Sequence, residues 1–216
     1  MTEAVMPLQN RVTPSGEIIA TPQRGLMMGN RGGAFHRPDR TLGVRRWASR
    51  QWICCVLSFK DRHRAVMQPN RYTELFFLDE ATALAAGHRP CFECRRNDAL
   101  RFASAWAQAR HLPVRPTAPE MDEVLHAERL DAGGGKRTFP ASAGDLPAGT
   151  FVRLDPPGPD YLYDGKRLFP WSPDGYGPPR DAAPGLPVRV LTPASIVAVL
   201  SAGYRPMLHA SALPVC

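Results

Sequence analysis

The chain has 216 residues, a formal charge of +7 and a pI near 9.5. A hydrophobic fraction of 44% excludes wholesale disorder and supplies a buried core. No apolar run reaches the roughly 18–20 residues of a membrane span, and the opening MTEAVMPLQNR has neither a basic nor an apolar leader segment. The expectation is therefore a cytoplasmic protein without a membrane partner. Its five cysteines (Cys54, Cys55, Cys91, Cys94 and Cys216) then read as thiols or metal ligands rather than as a disulfide framework.

In chain order, residues 1–46 read as an irregular Arg/Gly-rich segment with a short strand at Glu17–Ala20. Met28 to Gly33 reads as a loop, because three glycines in close succession disfavour regular structure. Residues 47–130 form the next unit. Trp52 to Phe59 is an apolar strand, Ala65–Met67 a short return strand, and Thr73 to Leu78 another strand. Asp79 is placed to N-cap a helix over Glu80–Ala86, with Gly87 at C′. Amphipathic spacing gives helices over Asn97–His111 and Pro119–Leu130. Residues 131–150 read as a linker or long loop. Residues 151–216 then hold strands at Phe151–Leu154, Tyr161–Tyr163, Arg167–Phe169 and Val188–Leu191, a Pro/Gly-dense stretch at 170–187, and a helix over Ser195–Ala202.

The two ends parallel each other. Leu84-Ala85-Ala86-Gly87-His88-Arg89-Pro90 matches Leu200-Ser201-Ala202-Gly203-Tyr204-Arg205-Pro206, and each follows a hairpin, a strand and a short helix. The fold class expected is α+β: small mixed or antiparallel sheets with short helices, and an internal duplication of a hairpin–strand–helix unit. The second copy carries Met207 and Ala210 where the first has Cys91 and Cys94, so any metal site belongs to the first.

Cys91 and Cys94 stand in a C-x-x-C after a rigid turn, which is the spacing of one half of a zinc site. The run Phe76-Phe77-Leu78-Asp79-Glu80-Ala81 followed by Ala85-Ala86-Gly87-His88-Arg89-Pro90-Cys91-Phe92-Glu93-Cys94-Arg95 resembles the zinc-binding domain of the Ada family of DNA methylphosphotriester repair proteins. The resemblance covers about 25 residues closely and Trp47 to Arg96 loosely. It implies zinc held by four thiolates in two pairs, Cys-x-x-x-Cys and Cys-x-x-Cys, with one thiolate of the first pair accepting a methyl group. Cys91 and Cys94 match the second pair. The first pair is not matched at its spacing, which falls near Lys60 and Arg64.

The nearby thiols are Cys54 and Cys55, whose side chains point to opposite faces of a regular strand. One of them, with His63, Cys91 and Cys94, would make a Cys3His set. The expected function is a zinc-binding, nucleic-acid-associated protein with a divergent Ada-like module that lacks methyl transfer.

DNA or RNA is the expected partner, because guanidinium groups bind phosphate. Arg89, Arg95, Arg96 and Arg101, around the C-x-x-C, are the candidate contacts. Gly29, Arg31 and Gly32 are candidates for an anion-binding nest of backbone amides. The alternative is an enzyme with a cleft between the two halves, in which Arg31, His36, His63 and Glu128 converge. No nucleophile elbow or paired-carboxylate spacing is present.

Overall fold

The computed structural model describes residues 6–60, 65–155 and 158–213. His63 and Cys216, both singled out from the sequence, lie outside the described residues.

Two sheets enclose a short helix. The first sheet contains β1 (Gln9–Val12), β2 (Ile18–Ala20), β3 (Met27–Arg31), β4 (Trp52–Val56), β5 (Leu75–Phe77) and β6 (Arg89–Pro90). Its order is β2-β1-β5-β3-β4-β6, and it is mixed, with β1 parallel to β5 and β4 parallel to β6. Helix α1 (Glu80–Ala85) follows β5; α2 (Arg96–Ala109) and α3 (Ala118–Arg129) follow β6.

The second sheet has seven strands: β7 (Phe139–Ser142), β8 (Thr150–Arg153), β9 (Tyr161–Tyr163), β10 (Arg167–Ser172), β11 (Gly175–Tyr176), β12 (Arg180–Asp181) and β13 (Pro187–Val190). Its main path is β11-β10-β9-β8-β13-β7, and β12 pairs with β10. Helix α4 (Ala194–Ser201) follows β13. The architecture is α+β with short helices. No helix among the described residues is long and apolar enough to cross a membrane.

The same local arrangement occurs twice. In the first half the strand before the helix, β5, lies antiparallel to β3, which is antiparallel to β4. In the second half β13 lies antiparallel to β8, which is antiparallel to β9. Each pre-helix strand thus returns beside the first arm of its hairpin. The sequence parallel at Gly-x-Arg-Pro therefore coincides with a repeated strand order.

The alanine content of α1 follows from its position. All six of its residues are buried. Ala83 and Ala86 pack with Leu75 and Phe77 of the first sheet, whereas Ala81 and Ala85 pack with Phe151, Leu162 and Phe169 of the second. Four of its six residues are apolar and its two polar ones, Glu80 and Thr82, are buried as well, and the small side chains let both sheets approach it. The Asp79 carboxylate caps it, accepting from the Thr82 amide at 2.9 Å. At the other end the His88 amide donates to Ala83 O and the Gly87 amide to Leu84 O, both at 2.9 Å. Gly87 has φ +90°, and these two bonds are those of a Schellman cap.

Glu80 joins the halves. Its carboxylate accepts from the Tyr204 hydroxyl at 2.6 Å, the Met207 amide at 2.9 Å and the Arg95 guanidinium at 2.8 Å. A further apolar cluster forms where Phe102 and Trp106 of α2, Met121 and Leu125 of α3, and Ile196 and Val199 of α4 meet.

Several expectations are corrected. Met27–Arg31 is a strand, not a loop: Gly29 pairs with Cys54 on one side and Leu75 on the other. A glycine is used there because a Cβ would lie 2.1 Å from the Ile53 carbonyl oxygen. Ala65–Met67 is not a strand. The stretch read as a linker contains β7, at the edge of its sheet, where Pro140 costs no interior ladder bond. The Pro/Gly-dense stretch holds β11 and β12, two residues each.

Candidate metal centre

Strand β4 carries Cys54 and Cys55 in alternation. Cys54 points inward, fully buried with Leu75, Phe77 and Ala83. Cys55 points to the other face. Because β6 lies parallel to β4, with Cys54 opposite Pro90, the chain leaving β6 brings Cys91 beside Cys55. The Cys91 amide donates to Cys54 O at 2.9 Å and fixes that register. A tight turn then returns Cys94 to the same side, closed by the Arg95 amide donating to Cys91 O at 3.0 Å.

The sulfurs of Cys55, Cys91 and Cys94 all lie within 4.8 Å of one another. Zinc–thiolate bonds of about 2.3 Å in a tetrahedron separate neighbouring sulfurs by about 3.8 Å, so the spacing of the triad is compatible with three corners of such a tetrahedron. Among the described residues no other Cys, His, Asp or Glu joins these three. Cys54, named as a candidate ligand from sequence, is not part of the cluster. Its thiol is pushed well up, by burial first and then by the Glu80 charge. It packs as a small apolar core residue and accepts a weak contact from Arg95 at 3.7 Å.

The surroundings favour thiolate at one position. Hydrogen bonds from Cys55 and then Cys94 pull the Cys91 thiol far down, and the Glu93 amide donates to its Sγ at 3.4 Å. Cys55, the donor to both neighbours, is raised correspondingly. Cys94 receives hydrogen bonds from Cys55 and the Val56 amide, but its bond with Cys91 and its burial leave it raised. Three thiols this close could hold a cation in place of their protons.

The triad opens on a cavity of about 280 Å³ whose lining includes Arg24, Asn30 and Tyr72. Sulfur donors suit zinc and other soft cations. The residues that would hold it are Cys55, Cys91 and Cys94.

The arginines around the motif divide into two kinds. Arg89 is buried, forming a two-pronged ion pair with Asp122 of α3 at 2.9 and 2.7 Å. Arg95 is buried between Glu80 and Asp98. Neither presents its guanidinium to a nucleic acid, so both leave the set expected from sequence. Arg96 is exposed, and Arg101 is exposed and paired with Asp98.

The amide nest expected at Gly29, Arg31 and Gly32 does not form. Gly29 is spent in the sheet, and the Gly32 amide donates to Asn30 Oδ1 at 3.0 Å. The Arg31 side chain instead runs into the interior.

The residues named for an enzymatic cleft do not converge among the described positions. His36 bonds the Thr73 hydroxyl at 2.8 Å. Glu128 accepts from the Ser195 amide at 2.8 Å at the start of α4, where a carboxylate complements the helix dipole. Arg31 lies elsewhere, against Trp52.

No protein-family model matches the chain, and neither the curated proteins nor the solved structures give a significant match.

Proposed function

We propose that this protein binds one zinc ion through Cys55, Cys91 and Cys94. The observation that carries the reading is the convergence of three thiols, one from strand β4 and two from the turn that follows its parallel neighbour β6. The resemblance of Phe76 to Arg95 to the Ada zinc-binding domain supports zinc as the cation. Bound zinc would hold the sulfurs as thiolates and fix the turn after β6. Methyl transfer is not part of the proposal, because β4 contributes one thiol to the cluster where the family's first pair contributes two.

The test is metal analysis of protein purified under reducing conditions. One equivalent of zinc is expected, lost in Cys55→Ser, Cys91→Ser and Cys94→Ser and retained in Cys54→Ser. Metal-free wild-type protein, or loss of zinc from Cys54→Ser with retention in Cys55→Ser, would overturn the assignment.

Association with DNA or RNA is a second reading, supported by the +7 charge and by the exposed Arg96 and Arg101 at the start of α2. It predicts duplex binding at about 50 mM salt that weakens steeply as salt rises, because phosphate contacts release counterions. No binding at low salt would remove it.

A further inference from the structure

A second concave site lies away from the cysteines, and its chemistry is the opposite of theirs. A cavity of about 580 Å³ is lined by Arg31, Arg46, Arg129, Lys136 and Arg153. Glu17 lines it as well, the single acid of the lining among the described residues. The volume is in the range of small-ligand sites.

Two of these cations are almost fully inside the protein. Arg31 is 2% exposed and Arg129 1%. Their guanidinium carbons lie 3.9 and 4.4 Å from the Trp52 ring, so one indole serves both. Arg31 donates to Gly16 O at 2.9 Å and, more distantly, to Arg46 O and His88 Nε2 at 3.4 Å. Arg129 donates to Leu125 O at 2.9 Å, Arg50 O at 3.1 Å and Asp122 O at 3.2 Å. Its Nη1 is buried and has no hydrogen-bond partner among the described residues. Lys136 reaches the Ala85 carbonyl from a Gly-rich turn.

None of these three cations makes an ion pair with a carboxylate among the described residues. Arg153, by contrast, is paired with Asp160 at 2.6 Å.

Carbonyl oxygens and an indole face satisfy donors without neutralising charge. Burial pulls the Arg31 pKa down to about 9, with the Arg129 and Arg46 charges adding to the effect. Burial, then Arg31 and Arg129, pull Lys136 to about 7. A guanidinium does not give up its proton under these conditions, so the arginine charges stay, and the carboxylates that act on Arg129 and Lys136 from a distance, Asp122 and Asp160, are already paired with Arg89 and Arg153. Buried charge without a partner is costly, and the missing component is an anion.

We propose that this cavity binds the phosphate group of a small phosphorylated ligand, held by Arg31, Arg129 and Lys136. Guanidinium groups with free N–H donors match phosphate oxygens in geometry and charge. Lys136 adds an ammonium donor beside them, anchored on the Ala85 carbonyl. The depth of the arginines favours a terminal phosphate over the continuous backbone of a duplex. This site does not depend on the zinc reading.

The test is binding of inorganic phosphate and pyrophosphate to the full chain by calorimetry and by thermal shift, at matched ionic strength in chloride. Binding to the native state should raise Tm with phosphate or pyrophosphate at about 10 mM and not with chloride. Lys136→Met should weaken binding by about tenfold or more, as loss of a charge-assisted hydrogen bond implies, and Arg129→Met should do the same. Arg115→Ala, at an exposed arginine outside this lining, should leave it unchanged.

Should Arg129→Met fail to fold, Lys136→Met decides, since its side chain comes from a turn. No stabilisation by phosphate or pyrophosphate beyond that of chloride would overturn the proposal. So would unchanged affinity in Lys136→Met, or binding of duplex DNA with no binding of either small anion.

Discussion

Asp122 offers the sharpest test of how the strand that presents Cys91 is held. The Arg89 and Asp122 side chains are 2% and 8% exposed, and they meet through two hydrogen bonds of 2.9 and 2.7 Å. Asp122→Ala leaves the guanidinium inside α3 and β6 with the Pro90 carbonyl at 3.2 Å and the Phe92 ring at 5.5 Å as its remaining partners. An orphaned buried charge costs about 3–5 kcal/mol. At about 2–4 °C per kcal/mol for a chain of this size, Tm should fall by about 6–20 °C.

The pair itself is a different matter. Burial raises the Asp122 pKa despite Arg89, so the carboxylate is less favoured in the fold than in water. Replacing both partners, as Arg89→Met with Asp122→Leu, should therefore recover most of the loss. Urea denaturation of the wild type, the single variant and the double variant measures this. A loss below about 1 kcal/mol in Asp122→Ala would refute the claim that Arg89 is a desolvated charge held by this carboxylate. A double variant as unstable as the single one would refute the claim that the cost arises from the orphaned charge.

Three further outcomes follow from the same geometry. His88 is fully buried between Trp52 and Phe77, and burial, then Arg31 and Arg129, hold its pKa well below 6.5. Its folded form therefore binds fewer protons than its unfolded form, so its contribution is complete above pH 6.5 and is lost as pH falls below it. Stability should drop by up to about 1.4 kcal/mol per pH unit from this group, and His88→Phe should flatten the slope between pH 6.5 and 5 in urea melts; an unchanged slope would contradict it. Gly29→Ala places a Cβ 2.1 Å from Ile53 O and 2.9 Å from the Phe77 ring, so it should cost about 1–3 kcal/mol or more, and a neutral result in thermal melts would contradict the packing described. If the cysteine triad holds zinc as proposed, a chelator should lower Tm in the wild type and not in Cys91→Ser, whereas equal sensitivity in both would overturn the assignment.

The local signals around α1 were legible in the chain because they are satisfied within a few residues. Asp79 caps, Gly87 closes a Schellman turn, and Cys91 and Cys94 are brought together by one tight turn. Strands with β-branched and aromatic residues, such as β4 and β9, were legible for a similar reason. Met27–Arg31 was not, since its glycine reads as a loop signal; only the close approach of Ile53 and Phe77 makes a glycine the residue that fits there. The strands β7, β11 and β12 are short and rich in Pro and Gly or charge, and their partners rather than their propensities hold them in the sheet.

The order of the residues alone required one of Cys54 and Cys55 to face away from the other, because neighbours on a strand point to opposite faces. It also determined that any metal site belongs to the first half, where the C-x-x-C stands. Tertiary structure decided which thiol joins the pair, through the parallel register of β4 and β6 that sets Cys55 beside Cys91. It likewise buried Arg89 and Arg95 against carboxylates, and gathered Arg31, Arg129 and Lys136 around one cavity from strand, helix and turn. Charge says that cations are present; pairing across the fold decides whether each is neutralised inside, shown to solvent, or left for a ligand.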